Sequence, residues 1–169
     1  MKSKNTKRNR ILITSVAGIL LLLLYFFIFF MSAQNGDQSG SVSQKISEKC
    51  VEIINALTGG QWSKAFQESC AAYFEHPLRK LAHFGEYAVM GILAYTMLSQ
   101  WMEQGRKLHS VTTLWVLLSA AADELHQYFV PGRYASVADV LLDTCGGICG
   151  MLLVKIIRNH LIQKRTCTS

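Results

Sequence analysis

Twenty-one consecutive residues, Ile11 to Met31, carry no charge. At about 1.5 Å per residue an uninterrupted helix of that length reaches roughly 30 Å, the thickness of a bilayer's hydrocarbon core. Lys2, Lys4, Lys7, Arg8 and Arg10 form a basic leader in front of it. A cleaved signal peptide has an apolar core of only about 7–15 residues and a small-x-small exit. Phe30-Met31-Ser32-Ala33 offers no such exit, so the segment reads as an uncleaved signal anchor.

Three further stretches are long enough to span a bilayer: Leu81 to Met102, Val111 to Val130 and Val137 to Ile157. Each has ionisable groups at one end, as expected of helices lining a polar cavity. The fold class that follows is all-α: a polytopic membrane protein of four transmembrane helices with a small extracytoplasmic helical cap. Its expected divisions are a cytoplasmic leader (1–10), the anchor (11–31), a linker and cap (32–79), a three-helix membrane core (80–157) and a cytoplasmic tail (158–169). Within the cap, Ser32 to Ser43 is rich in Ser, Gly, Gln and Asn and reads as linker. Val42 to Leu57 has helical periodicity, with Thr58-Gly59-Gly60 as a stop. A second short helix from Trp62 is expected to end at His76-Pro77, because the residue before proline is pushed out of the helical region. Cys50 and Cys70 would both lie outside, where a disulfide between the two cap helices is one possibility.

The net charge of +6 would in a soluble chain suggest an anionic partner such as nucleic acid. With both termini cytoplasmic, eleven basic residues stand inside against Glu103 alone, and six outside against ten carboxylates. The excess therefore obeys the positive-inside rule and calls for no nucleic acid.

The same orientation gathers the ionisable residues of the spans at the outer end. Lys80, His83, Glu86 and Tyr87 fall within about a 120° arc of the second span, and Asp123, Glu124 and Gln127 within a similar arc of the third. On the fourth, Asp139 and Asp143 share a face with Gly146 and Gly150, whose small-xxx-small spacing allows close helix approach. His126 lies off the main arc and reads as an interfacial or packing residue. Between the third and fourth spans, Val130-Pro131-Gly132-Arg133 forms a turn, and Ser136 with Asp139 has the pattern of a capping box. Arg133 is expected beside the carboxylates, able to pair them or to bind a ligand phosphate or carboxylate.

Lys80-x-x-His83-Phe84-x-x-Tyr87, then Asp123-Glu124-x-x-Gln127-x-Phe129-Val130-Pro131-Gly132-Arg133, then Ser136-x-x-Asp139 and Gly146 to Gly150, resembles the VanZ-like family of bacterial membrane proteins. The shared pattern runs from Arg79 to Leu153, with Asp143 where members of the family commonly carry Asn. The resemblance implies a polytopic helical protein of the bacterial cell envelope, whose namesake is associated with decreased susceptibility to the glycopeptide teicoplanin. It implies no settled reaction.

Two function classes follow. In the first, the mixture of histidine, carboxylates, amide and cations supports acid/base chemistry at the outer leaflet, as in a membrane-embedded hydrolase or transferase. His83 or Glu86 would be the general acid or base and Asp123 or Glu124 a second carboxylate. Lys80 and Arg133 would hold an anionic lipid head group or lipid-linked cell-wall intermediate, with Tyr87, Gln127, Asp139 and Asp143 completing the binding site. The residues leave the cofactor open, and a divalent metal bound by His83 with some carboxylates is the weaker reading because few histidines are available and no HExxH-type spacing occurs. In the second class the cavity binds or transports a lipid or antibiotic, in which case a homodimer is expected because four spans make a thin transporter. An ion-pair network that merely clamps the helices is the structural alternative to both.

Overall fold

The computed structural model describes residues 2–167, and the side chains of Lys2, Lys4, Asp37, Arg165 and Cys167, assigned above to one side of the membrane, lie outside the described residues. The described residues form five helices and no strand: α1 (Lys2–Ser32), α2 (Gly36–Leu57), α3 (Lys64–Leu98), α4 (Arg106–Tyr128) and α5 (Val137–Cys167). Two of them contain segments long and apolar enough to cross a membrane, Thr6–Ser32 with mean hydropathy 2.7 and Val137–Leu161 with 1.9. The expected second and third spans lie on α3 and α4, whose charged and polar ends dilute their hydropathy.

The stretch read as a linker is largely helical. Asn35 caps α2 by accepting from the Gln38 amide at 2.8 Å, while the Gln38 side chain accepts from the Asn35 amide at 3.4 Å. This reciprocal capping box starts the helix at Gly36 despite a Ser/Gly-rich composition. At the other end Gly59 and Gly60 take the positive φ values that stop α2.

The expected break at Pro77 does not occur, and α3 runs through it as one helix of 35 residues. Proline removes one amide donor and crowds the preceding turn, but contacts from both sides hold the axis. Glu75 and Arg79 form an i,i+4 ion pair that straddles Pro77, and Ser43 of α2 donates to the same Glu75 oxygen. One turn earlier, Ser47 donates to the Ala71 carbonyl at 2.6 Å. Cys50 and Cys70 are both free thiols, so hydrogen bonds and packing join this hairpin.

α3 is the hub of the bundle and packs most extensively on α5. The seam is made by glycine, as the Gly146-x-x-x-Gly150 spacing suggested: a Cβ at Gly146 would stand 2.3 Å from the Phe84 carbonyl oxygen, and one at Gly150 1.9 Å from that of Ala88. Gly91 and Gly147 extend the contact inward. The apolar core joins Tyr87 and Met90 of α3 to Val116 and Ala120 of α4 and to Leu21 and Ile28 of α1. The outside of the bundle is apolar too: Leu22, Leu23, Phe26 and Phe30 of α1, Leu114 and Leu118 of α4, and Leu153 and Ile156 of α5 are all exposed.

Candidate functional site

A cavity of about 260 Å³ opens where α3, α4 and α5 meet the turn before α5. Of the residues expected to form the site, Lys80, His83, Glu124, Gln127, Arg133, Asp139 and Asp143 line it. Glu86 stands one turn below His83 and faces a neighbouring cavity on the α2 side. Tyr87 and Asp123 face a third cavity, an apolar groove of about 570 Å³ between α1 and α4. The ten residues are therefore not one surface. Asp123 joins the two sides by accepting at 2.9 Å from Gln127, whose amide also donates to Ser32 at the end of α1.

Lys80 reaches across from α3 to Asp139 on α5 and forms an ion pair with it. The capping box expected at Ser136 is consequently only half formed. Ser136 Oγ lies 3.4 Å from the Asp139 amide, but the Asp139 carboxylate turns to Lys80. Glu124 of α4 takes the missing role, accepting from the Ser136 amide at 2.7 Å. A side chain from a different helix thus secures the first turn of α5.

Of the two roles open to Arg133, pairing the carboxylates or binding a ligand anion, the first is not the arrangement found. Its Nε donates to the Gln34 carbonyl at 3.2 Å, its Nη2 to the Met31 carbonyl at 3.1 Å and its Nη1 to Gln127 Oε1 at 3.0 Å. The Met31 carbonyl also accepts from the Gln34 amide at 3.3 Å, so the guanidinium adds a second donor there and one at the Gln34 carbonyl just past the end of α1. Burial, with Arg79 nearby acting the same way, lowers the Arg133 pKa from its ordinary value. The turn is held against α2 as well, since the Gly36 amide donates to the Pro131 carbonyl at 3.1 Å. There Gly132 takes φ +74°, and a Cβ on Gly36 would lie 2.3 Å from the Gly132 oxygen.

Some polar groups remain without such partners. Asp143 is 2% exposed and its Oδ1 has no hydrogen-bond partner, nor have the buried His83 Nδ1 and Glu86 Oε2. His83 Nδ1 and Glu86 Oε2 face each other at 3.7 Å, beyond a normal hydrogen bond but close enough for attraction if the imidazole is charged. Buried polar atoms without a partner are costly to a fold, and these three lie on or beside the two cavities. Among the described residues no group of three or more His, Cys, Asp or Glu side chains is arranged to hold a metal ion.

Sequence reasoning missed His76 and Arg79, which also line the polar cavity. Their signal was present: His76, Arg79, Lys80 and His83 follow the i, i+3, i+4, i+7 spacing of one helix face. Taking Pro77 as a stop hid it. Also missed was the part played by α1, where Tyr25 accepts from Trp115 at 2.9 Å and bonds Ser119 at 2.5 Å, tying the supposed anchor into the bundle. His126 stacks on Phe29 of α1, with ring centroids 4.6 Å apart, in keeping with a packing role.

Fold and site together define a helical bundle with an apolar exterior and a polar cavity at one end. The chain belongs to the VanZ/LLP1 family, whose model matches residues 17–158. That match takes in the second half of α1 and all of α2, beyond the Arg79–Leu153 pattern legible from motifs. No curated protein and no solved structure gives a significant match.

Proposed function

We propose that the chain is a VanZ-like protein of the bacterial cell envelope that receives an anionic lipid head group, or a lipid-linked cell-wall intermediate, in the polar cavity from the outer face of the membrane. The observation that carries this reading is the convergence in one cavity of Arg79, Lys80 and His83 from α3 with the buried, unpartnered Asp143 of α5. Burying so many ionisable groups in a bilayer costs at least about 2–3 kcal/mol each on lenient scales, which favours a functional reason for them. His83, with Glu86 behind it, is the candidate general acid or base, and the cations hold the anion.

In this reading α1, the second half of α3, α4 and α5 cross the membrane with both termini cytoplasmic, and the α2–α3 hairpin stands outside. The exposed leucine and phenylalanine side chains of α1, α4 and α5 suit contact with lipid. Single cysteines introduced in the Pro131–Ser136 turn should react with a membrane-impermeant thiol reagent added outside intact cells. Labelling from the cytoplasmic side alone would overturn the orientation. The family resemblance extends the proposal to reduced glycopeptide susceptibility, tested by comparing teicoplanin sensitivity with and without the protein.

A second reading, a non-catalytic binder or transporter, draws support from the Lys80–Asp139 pair, the Glu124–Ser136 bond and the three bonds of Arg133, which already hold helices together. The lipid and cell-wall precursor profile of membranes with and without the protein separates the two. A chemically changed species supports an enzyme, and a redistributed but unchanged one a transporter. With a purified system, His83→Ala should abolish turnover and spare affinity in the first case, but lower affinity in the second.

A further inference from the structure

Arg79, His83 and Arg133 line two cavities at once: the polar one and a second of about 300 Å³ beside α2. Besides these three side chains the second cavity meets Glu86, Ser39 and Ser43, and the rest of its wall is apolar, with Val42 and Ile46 from α2 opposite Leu78 and Leu81 from α3. Leu78 and Leu81 then also line a further cavity of about 260 Å³, continued by Val51, Ile54 and Phe74. A polar chamber, three basic groups and an apolar furrow along the α2–α3 hairpin therefore lie in series. Ile46 and Leu81 are 51% and 64% exposed, so the furrow is open to an occupant along its length.

A small water-soluble anion would use the chamber and leave the furrow without a purpose. A phosphate bearing one long apolar chain matches all three parts. Arg133 makes three hydrogen bonds and has five N–H donors, which leaves two for an anion, and Arg79 Nε is buried without a partner. Asp143 Oδ1, also unpartnered, would meet the polar remainder of the head group in the chamber.

We propose that this site binds a phosphate ester of a single long apolar chain, the phosphate between Arg79, His83 and Arg133 and the chain along the furrow between α2 and α3. The proposal rests on the polar cavity being an anionic head-group site and adds the chain and its path. The hairpin outside the bundle is then the element that shelters the chain.

The test uses the full-length protein in detergent with a hexadecyl phosphate that carries a diazirine at mid-chain. Photo-adducts should map to residues 42–54 and 74–81 and should be competed by hexadecyl phosphate, but not by hexadecanol, inorganic phosphate or dioleoyl phosphatidic acid at equal concentration. Affinity should rise along the series from butyl to hexadecyl phosphate, by up to roughly fourfold per methylene buried. Ile46→Trp should fill the furrow and cut adduct yield at least tenfold while butyl phosphate still binds. The milder Ile46→Ala, which removes contact without adding bulk, should weaken hexadecyl phosphate alone.

Butyl phosphate binding as tightly as hexadecyl phosphate, or adducts confined to the exposed faces of α1, α4 and α5, would overturn the chain assignment and leave the head-group reading in place. Competition by phosphatidic acid as strong as by hexadecyl phosphate would overturn the single-chain assignment. Binding of neither alkyl phosphate would remove both readings together. The adduct map of the unaltered protein decides the path even if the tryptophan variant does not fold.

Discussion

Gly91 of α3 and Gly147 of α5 meet backbone to backbone: a Cβ on Gly91 would stand 2.0 Å from the Gly147 carbonyl oxygen. No rotamer change relieves such a clash, because the obstacle is main chain. Gly91→Ala should therefore separate α3 from α5 and destabilise the fold by about 1–3 kcal/mol, the usual range for overpacking. Gly85→Ala on the same helix, where a Cβ meets nothing within 4 Å, is the control and should be neutral or slightly stabilising. Thermal unfolding of both variants in detergent checks this, and equal effects would contradict the seam.

Glu124 holds the start of α5 from another helix, so its loss should be felt at Ser136. Glu124→Ala is expected to cost about 1–3 kcal/mol, the range for leaving a partly buried donor unpaired, and to speed exchange of the Ser136 amide. Glu124→Gln keeps an acceptor oxygen and should restore much of the protection. Unchanged exchange in the alanine variant would show that the Ser136 cap does not depend on α4.

Arg133 joins the turn to α1 through acceptors on two chain segments, Met31 and Gln34 carbonyls on one side and Gln127 on the other. An ammonium cannot reproduce that fork, so Arg133→Lys should behave nearly like Arg133→Ala, each losing about 1–3 kcal/mol. The readout is faster hydrogen exchange around residues 34–36 with little change at the far end of α1. A fully protective lysine would mean that charge alone, without the fork, secures the junction.

Glu75 gives the hairpin a pH dependence. Burial raises its pKa, but the hydrogen bonds from Ser43 and Arg79 and the Arg79 charge outweigh it, so the net shift is below the ordinary 4.5. A carboxyl depressed in the folded state contributes its full stability above the unfolded value and loses it as pH falls from there through the folded value. The protection of amides across Ala71–Arg79, measured relative to their intrinsic exchange at each pH, should therefore fall below about pH 4.5, the ordinary carboxyl value. In Glu75→Gln this step should vanish; its persistence would assign the acid sensitivity to another group.

Much of the architecture was legible in local signals. Gly59 and Gly60 ended α2 where their conformational freedom predicts, Val137 began α5 after the proline-glycine turn, and Gly146 and Gly150 marked the seam with α3. The polar stripes on α3 and α4 followed from helical spacing. Two errors came from local rules overruled by packing. Ser/Gly composition yielded to the Asn35–Gln38 capping box, and the proline stop yielded to a hairpin that braces α3 on both sides of Pro77.

By itself, then, the sequence determined which residues are polar, which helix face carries them and where backbones can approach, because these depend on spacing and residue type along one strand of chain. Only the tertiary structure decided who meets whom. Arg133 could have paired with a nearby carboxylate, yet its fork meets the Met31 carbonyl at the end of α1 and the Gln34 carbonyl just past it. Asp139 could have capped its own helix, but Lys80 of α3 stands opposite it, and Glu124 took its place at the Ser136 amide. A hydrogen bond is settled by the few ångströms between donor and acceptor, and that distance exists only once the helices are packed.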